Sequence, residues 1–67
     1  MNILRRLAAL KREIQYREEE LERIARLRAA GDETILALPD FIEKYLADIR
    51  IGIAQRETEI RKLGAEN

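Results

Sequence analysis

The stretches IQYREEELERI (residues 14–24) and IAQRETEIRKL (residues 53–63) decide the fold of this chain, because they align with an offset of 39 residues. Both carry Ile or Leu at their first, eighth and last positions, a spacing that places these side chains on one side of an α-helix. Both also carry an arginine at the fourth position, Arg17 and Arg56. The repeat predicts two similar amphipathic helices in one chain.

The first helix is predicted over residues 2–30. Its apolar seam recurs at alternating spacings of three and four residues and is interrupted at Arg17. Gly31 suits the left-handed residue that ends a helix, and Asp32 directly after it favours a turn. The seam residues are Ile3, Leu7, Leu10, Ile14, Leu21 and Ile24.

The second helix is predicted over residues 39–63. Pro39 fits a first-turn position, and Asp40 with Glu43 has the spacing of a capping box. We expect Gly64 to end this helix. Its seam residues are Ile42, Leu46, Ile49, Ile53, Ile60 and Leu63, interrupted at Arg56.

The connection, residues 31–38, is short enough to make the helices antiparallel neighbours, and it has room for a helical turn. It contains Ile35, Leu36 and Leu38. We expect these residues to fold back and close the end of the hairpin, in preference to forming an exposed tip that binds a partner. The predicted architecture is therefore all-α, one helical-hairpin domain over residues 1–67.

A hairpin that turns near residues 36 and 37 brings Arg17 and Arg56 into one layer, with carboxylates such as Glu13 one helical turn away. Three interpretations are open: both guanidiniums reach the solvent at the rim, they form a polar layer that sets the register of a dimer, or they bind an anion. Gly52 lies inside the second helix at a cost near 1 kcal/mol relative to Ala. We interpret it as a tolerated defect in preference to a site of close approach.

Two apolar stripes of this width are not fully covered by facing each other, and a chain of 67 residues without Cys or His lacks disulfide and zinc staples. Association is the remaining source of stability. A symmetric homodimer is the commonest assembly for one small chain, so we expect two hairpins to form a four-helix bundle.

The composition argues against catalysis. Without His, Cys or a Gly-rich phosphate loop, we expect no catalytic residues, no cofactor site and no metal site, and we predict that the chain is not an enzyme. Its thirteen basic and thirteen acidic residues cancel. No run of about 18 apolar residues is present to span a membrane, so we expect a cytoplasmic protein.

The sequence favours a small interaction or adaptor protein. The alternative is a nucleic-acid-binding regulator, because antiparallel packing gathers cations of both helices at one end. Arg23 and Tyr16 would extend this basic surface along the first helix. The basic, amphipathic start of this helix could also lie on an anionic membrane surface, but we favour a dimer seam for its apolar residues. The candidate nucleic-acid contacts are Arg5, Arg6, Lys11, Arg12, Arg61 and Lys62.

Overall fold

A computed structural model describes residues 2–65 and contains three helices in this part of the chain: α1 (Ile3–Ala29), α2 (Glu33–Ala37) and α3 (Pro39–Ala65). The two long helices pack against each other and run antiparallel, since Arg6 near the start of α1 pairs with Glu59 near the end of α3. The prediction of an all-helical chain with two long packed helices is confirmed. The short α2 occupies the connection.

Both ends of α1 are capped, and the cap at Gly31 is the one that the sequence predicts. The Asn2 side chain accepts a hydrogen bond from the Leu4 backbone N–H at 2.8 Å. At the other end Gly31 has φ 78°, the left-handed conformation predicted for it. Its N–H donates to the Arg28 carbonyl at 3.1 Å, and the Asp32 N–H donates to the Leu27 carbonyl at 3.0 Å. These two bonds form a Schellman motif, which satisfies the last carbonyls of α1.

The connection closes the end of the hairpin through one residue. Asp32 caps α2 by accepting a hydrogen bond from the Ile35 N–H at 3.1 Å. Ile35 is buried in a cluster with Ile24, Ile42 and Leu46, with Leu21, Leu27 and Tyr45 packed against it. The expected plug thus consists of Ile35 alone, because Leu36 and Leu38 remain 57% and 50% exposed.

The second helix begins at Pro39 as predicted, but its predicted capping box and its predicted end at Gly64 need correction. The Leu38 carbonyl accepts from the Ile42 N–H at 3.0 Å, so Asp40 lies inside the first turn of α3 and is not its N-cap. Glu43 is drawn to Arg28 across the hairpin, at 3.0 Å, instead of back to the helix start. Gly64 does not end α3, which continues to Ala65, because the backbone of Gly64 stays out of the positive-φ region.

Only part of the predicted seam is buried within one chain. Leu10, Ile24, Ile42 and Leu46 are buried, whereas Ile3 is 38% exposed. The remaining seam residues are half-buried: Leu7, Ile14, Leu21, Ile49, Ile53, Ile60 and Leu63. The core is therefore densest at the turn end of the hairpin and thins toward the other end.

The hairpin is a rod. Its extents are 47 × 17 × 16 Å and its radius of gyration is 15.2 Å, whereas a compact domain of this length has a radius of gyration of about 11 Å. Over residues 2–65, no helix has the length and apolarity needed to cross a membrane.

Candidate functional site: an aromatic groove and a basic helix face

An ionic layer joins the two long helices near their middle. Arg56 donates from Nε to Glu13 Oε1 at 2.8 Å and from one terminal nitrogen to the Gly52 carbonyl at 2.9 Å. Arg17 donates to the Glu13 backbone carbonyl at 3.0 Å. The hydrogen bond from Arg56, with some offset from desolvation, lowers the pKa of Glu13. The two arginines of the repeat therefore share one layer and meet around Gly52.

Gly52 makes room for this layer. A Cβ atom at this position would lie 3.2 Å from Arg17 Nε and 3.4 Å from a terminal nitrogen of Arg56. The missing side chain lets Arg17 lie against α3, so Gly52 is approached closely by a flexible side chain and is also a point of low helix propensity. The layer stays in contact with solvent, since the side chains of Arg56 and Glu13 are 24% and 38% exposed. This partial exposure agrees best with guanidiniums that reach the rim.

The side of the hairpin near the turn carries a surface depression between the long helices, here called the aromatic groove. A volume of about 420 Å³ lies between Tyr16 and Ile49, and about 400 Å³ lies between Leu27 and Phe41. Both volumes share Arg23 and Tyr45 as lining residues, so they form one continuous feature. The aromatic groove is defined by Tyr16, Glu20, Arg23, Leu27, Phe41, Tyr45 and Ile49.

The aromatic side chains of the groove are largely open to solvent. Phe41 and Tyr45 lie one turn apart on α3 and stack, with ring centroids 6.4 Å apart and planes 6° from parallel. Phe41 is 63% exposed and Tyr16 is 74% exposed. Exposed aromatic surface of this kind is typical of interaction sites, where aromatic residues supply much of the contact energy.

A polar network crosses the floor of the aromatic groove. Glu20 of α1 accepts hydrogen bonds from the Tyr45 hydroxyl and from two nitrogens of Arg23, at 2.6 and 2.9 Å. The guanidinium of Arg23 and the hydroxyl of Tyr45 together lower the pKa of Glu20 from its usual 4.5 to about 2. The same contact with Glu20 raises the pKa of Tyr45. The sequence analysis did not find this network, because a turn near residues 36 and 37 does not place Glu20 opposite Tyr45.

The predicted nucleic-acid contacts separate into paired and unpaired cations. Glu59 holds Arg6 at 2.5 Å, and Arg61 donates to the Thr58 hydroxyl at 3.0 Å. The remaining four are exposed and form no ion pair within residues 2–65: Arg5, Lys11, Arg12 and Lys62. Arg23, which the sequence placed on the same basic surface, is bound to Glu20 and is not available to it.

Two of the unpaired cations, Arg5 and Arg12, line a second depression together with the paired Arg6, and this surface is here called the basic face. It has a volume of about 330 Å³ and is lined by Arg5, Arg6, Ala9 and Arg12. Residues 2–12 and 56–65 together contain seven Arg or Lys and two Glu, a balance of +5, whereas residues 13–55 contain six Arg or Lys and ten acidic residues, a balance of −4. The rod is therefore electrically polar along its length.

Within residues 2–65 no group of three or more Asp, Glu, Cys or His side chains is arranged to hold a metal ion. Comparisons with protein-family models, with curated proteins and with solved structures found no match to this chain. The fold is a two-helix hairpin with a short helix in its connection. The exposed surfaces of the hairpin are therefore the features that indicate its function.

Proposed function

We propose that the chain is a small non-enzymatic interaction protein of the cytoplasm, and that two copies pair into a four-helix bundle. One observation carries the proposal. The accessible surface of a single copy is 5265 Å², whereas a folded monomer of this mass exposes about 4,400 Å².

The excess surface has the size of a protein interface. It amounts to about 900 Å², and a standard stable interface buries about 800 Å² on each partner. The long-range packing of the chain is correspondingly sparse, with Leu10, Ile24, Ile35, Ile42 and Leu46 as its buried apolar residues. A second copy would add apolar contacts to the small core of one copy, including contacts to the half-buried seam residue Ile49, which lines the aromatic groove.

The aromatic groove is the surface that we assign to the second copy. It contains the exposed rings of Phe41 and Tyr16 on one side of the hairpin. The charge distribution favours an antiparallel pair, because a parallel pair would bring together two ends of balance +5. In the antiparallel arrangement each basic end lies away from the other, and the same patch is used by both copies, as an isologous contact requires.

Sedimentation equilibrium tests the proposal. The unaltered chain should behave as a dimer at micromolar concentration, and Phe41→Glu should weaken the dimer at least about tenfold, the effect of losing about 1.4 kcal/mol. Ile51→Glu is the matched control, because Ile51 is similarly exposed, at 55%, but does not line the aromatic groove. A monomeric chain that melts cooperatively would overturn self-association, and equal weakening by both variants would overturn the choice of surface.

A further inference from the structure

We propose that the basic face of α1 binds the phosphate backbone of a nucleic acid, a role that goes beyond self-association. The site consists of Arg5, Arg6 and Arg12 around Ala9. Nucleic-acid binding by proteins depends strongly on cations that replace the counterions of phosphates, and this contact needs no base-specific residue.

The spacing of the arginines suits a chain of phosphates. Arg5 and Arg12 are two turns apart on α1, which corresponds to about 10 Å along the helix axis. Between them the small side chain of Ala9 leaves the depression of about 330 Å³ open. A larger residue at position 9 would fill the space in which a phosphate group approaches both guanidiniums.

Arg6 is positioned for the same site by α3. Its Nε donates to Glu59 Oε2 at 2.5 Å, and its side chain remains 36% exposed. The ion pair uses Nε and fixes the orientation of the guanidinium. The N–H groups of its two terminal nitrogens are left to donate to phosphate oxygens. The surrounding balance of +5 adds a long-range attraction for a polyanion.

Arg5 and Arg12 of the basic face are turned away from the core of the hairpin. Leu10 is fully buried, at 0% exposure, and thereby marks the side of α1 that faces the core. At 100° per residue, Arg5 and Arg12 project from roughly the opposite side of the helix. Both arginines are therefore exposed to solvent in the single hairpin.

Fluorescence anisotropy with labelled duplex DNA and duplex RNA of arbitrary sequence tests the inference over a series of salt concentrations. We expect log Kd to rise linearly with log salt concentration. The double variant Arg5→Gln/Arg12→Gln should weaken binding and reduce this slope by about two, one for each lost phosphate contact. The double variant Arg26→Gln/Arg50→Gln removes the same charge from exposed positions outside the basic face, and its slope should equal that of the unaltered chain.

Two results would overturn the inference. One is the lack of salt-sensitive binding to either duplex in the range of ordinary non-specific affinity, with a Kd of about 10⁻⁶ to 10⁻⁴ M. The other is an equal loss of slope in both double variants, which would indicate a general charge effect. Sedimentation of each variant keeps this test separate from self-association. A variant that still dimerises but no longer binds nucleic acid has lost only the function of the basic face.

Discussion

Glu20 of α1 accepts a hydrogen bond from the hydroxyl of Tyr45 on α3, and this contact ties the two long helices together beside the core cluster. Tyr45 packs its ring against the buried residues of that cluster, so the hydroxyl is held in place by apolar contacts on one side. The carboxylate in turn is held by Arg23. The network therefore orients Tyr45 within the aromatic groove.

The contribution of this contact can be measured with Tyr45→Phe, which keeps the ring and removes the hydroxyl. We expect the free energy of unfolding to fall by about 1 kcal/mol, the usual net value of one such hydrogen bond. Urea denaturation at neutral pH gives this value directly. Tyr16→Phe is the control, because Tyr16 is 74% exposed and no partner of its hydroxyl is present among residues 2–65; an equal loss in both variants would contradict the assignment.

Acid should destabilise the protein through three carboxylates. The pKa values of Glu13, Glu20 and Glu59 are lowered in the folded state by hydrogen bonds from Arg56, Arg23 and Arg6, respectively. A group with a lowered folded pKa stabilises the protein fully above its unfolded pKa, and this stability is lost as the pH falls. For Glu20 the loss extends from pH 4.5 toward about pH 2.

Urea denaturation across this pH range therefore should show a free energy of unfolding that falls with acidification. Glu20→Gln should reduce the steepness of the fall, because the variant carries no ionisable group at this position. Glu18→Gln serves as the comparison, since Glu18 is exposed and forms no ion pair within residues 2–65. A pH dependence that is the same for both variants would show that Glu20 is not responsible.

The sequence predicted the helices well because their signals are local. The repeat around Arg17 and Arg56 defines two amphipathic segments, and Gly31 alone specifies the left-handed end of α1. The start of α3 was less predictable, since Asp40 and Glu43 match a capping box in spacing while the Leu38 carbonyl takes the first hydrogen bond. The spacing of a capping box does not by itself show that the helix has already begun at Pro39.

The contacts between helices were less accessible to sequence analysis. Their register depends on the geometry of the connection, and it pairs Arg56 with Glu13 in the layer that both arginines share. The exposed ring of Phe41 becomes part of a groove only through residues of α1, such as Leu27, that lie distant in the sequence. A shift of one turn would exchange the partners of Arg6, Arg28 and Arg56, whose ion pairs join the two long helices.

Gly52 and Gly31 should respond in opposite ways to alanine. Gly52→Ala improves helix propensity by up to about 1 kcal/mol, and the atoms it would crowd are the flexible ends of Arg17 and Arg56. We therefore expect a small gain in the free energy of unfolding. Gly31→Ala should destabilise the chain by about 1 to 2 kcal/mol, because Gly31 has φ 78°. Thermal and urea denaturation measure both, and a loss at position 52 would mean that the arginine layer is rigid.

The ionic layer itself should cost stability. In the double variant Arg17→Leu/Arg56→Leu, two half-buried cations are replaced by apolar side chains beside the core, and the space over Gly52 is filled. We expect the free energy of unfolding to rise by about 1 kcal/mol, as is often found when ion pairs are replaced by packed apolar residues. Glu13 adds little penalty when it loses Arg56, because its side chain is 38% exposed and remains hydrated.

The oligomeric state of the same double variant separates the remaining interpretations of the layer. Guanidiniums that only reach the rim leave the proposed dimer unchanged, so sedimentation equilibrium should give one species of the same mass for the variant and the unaltered chain. A mixture of assemblies would instead assign the layer to setting the register of the bundle, since removal of a buried polar layer relaxes the choice of partner and alignment. The Arg56 side chain is 24% exposed, which favours the single species. The measurement needs only the mass of each assembly.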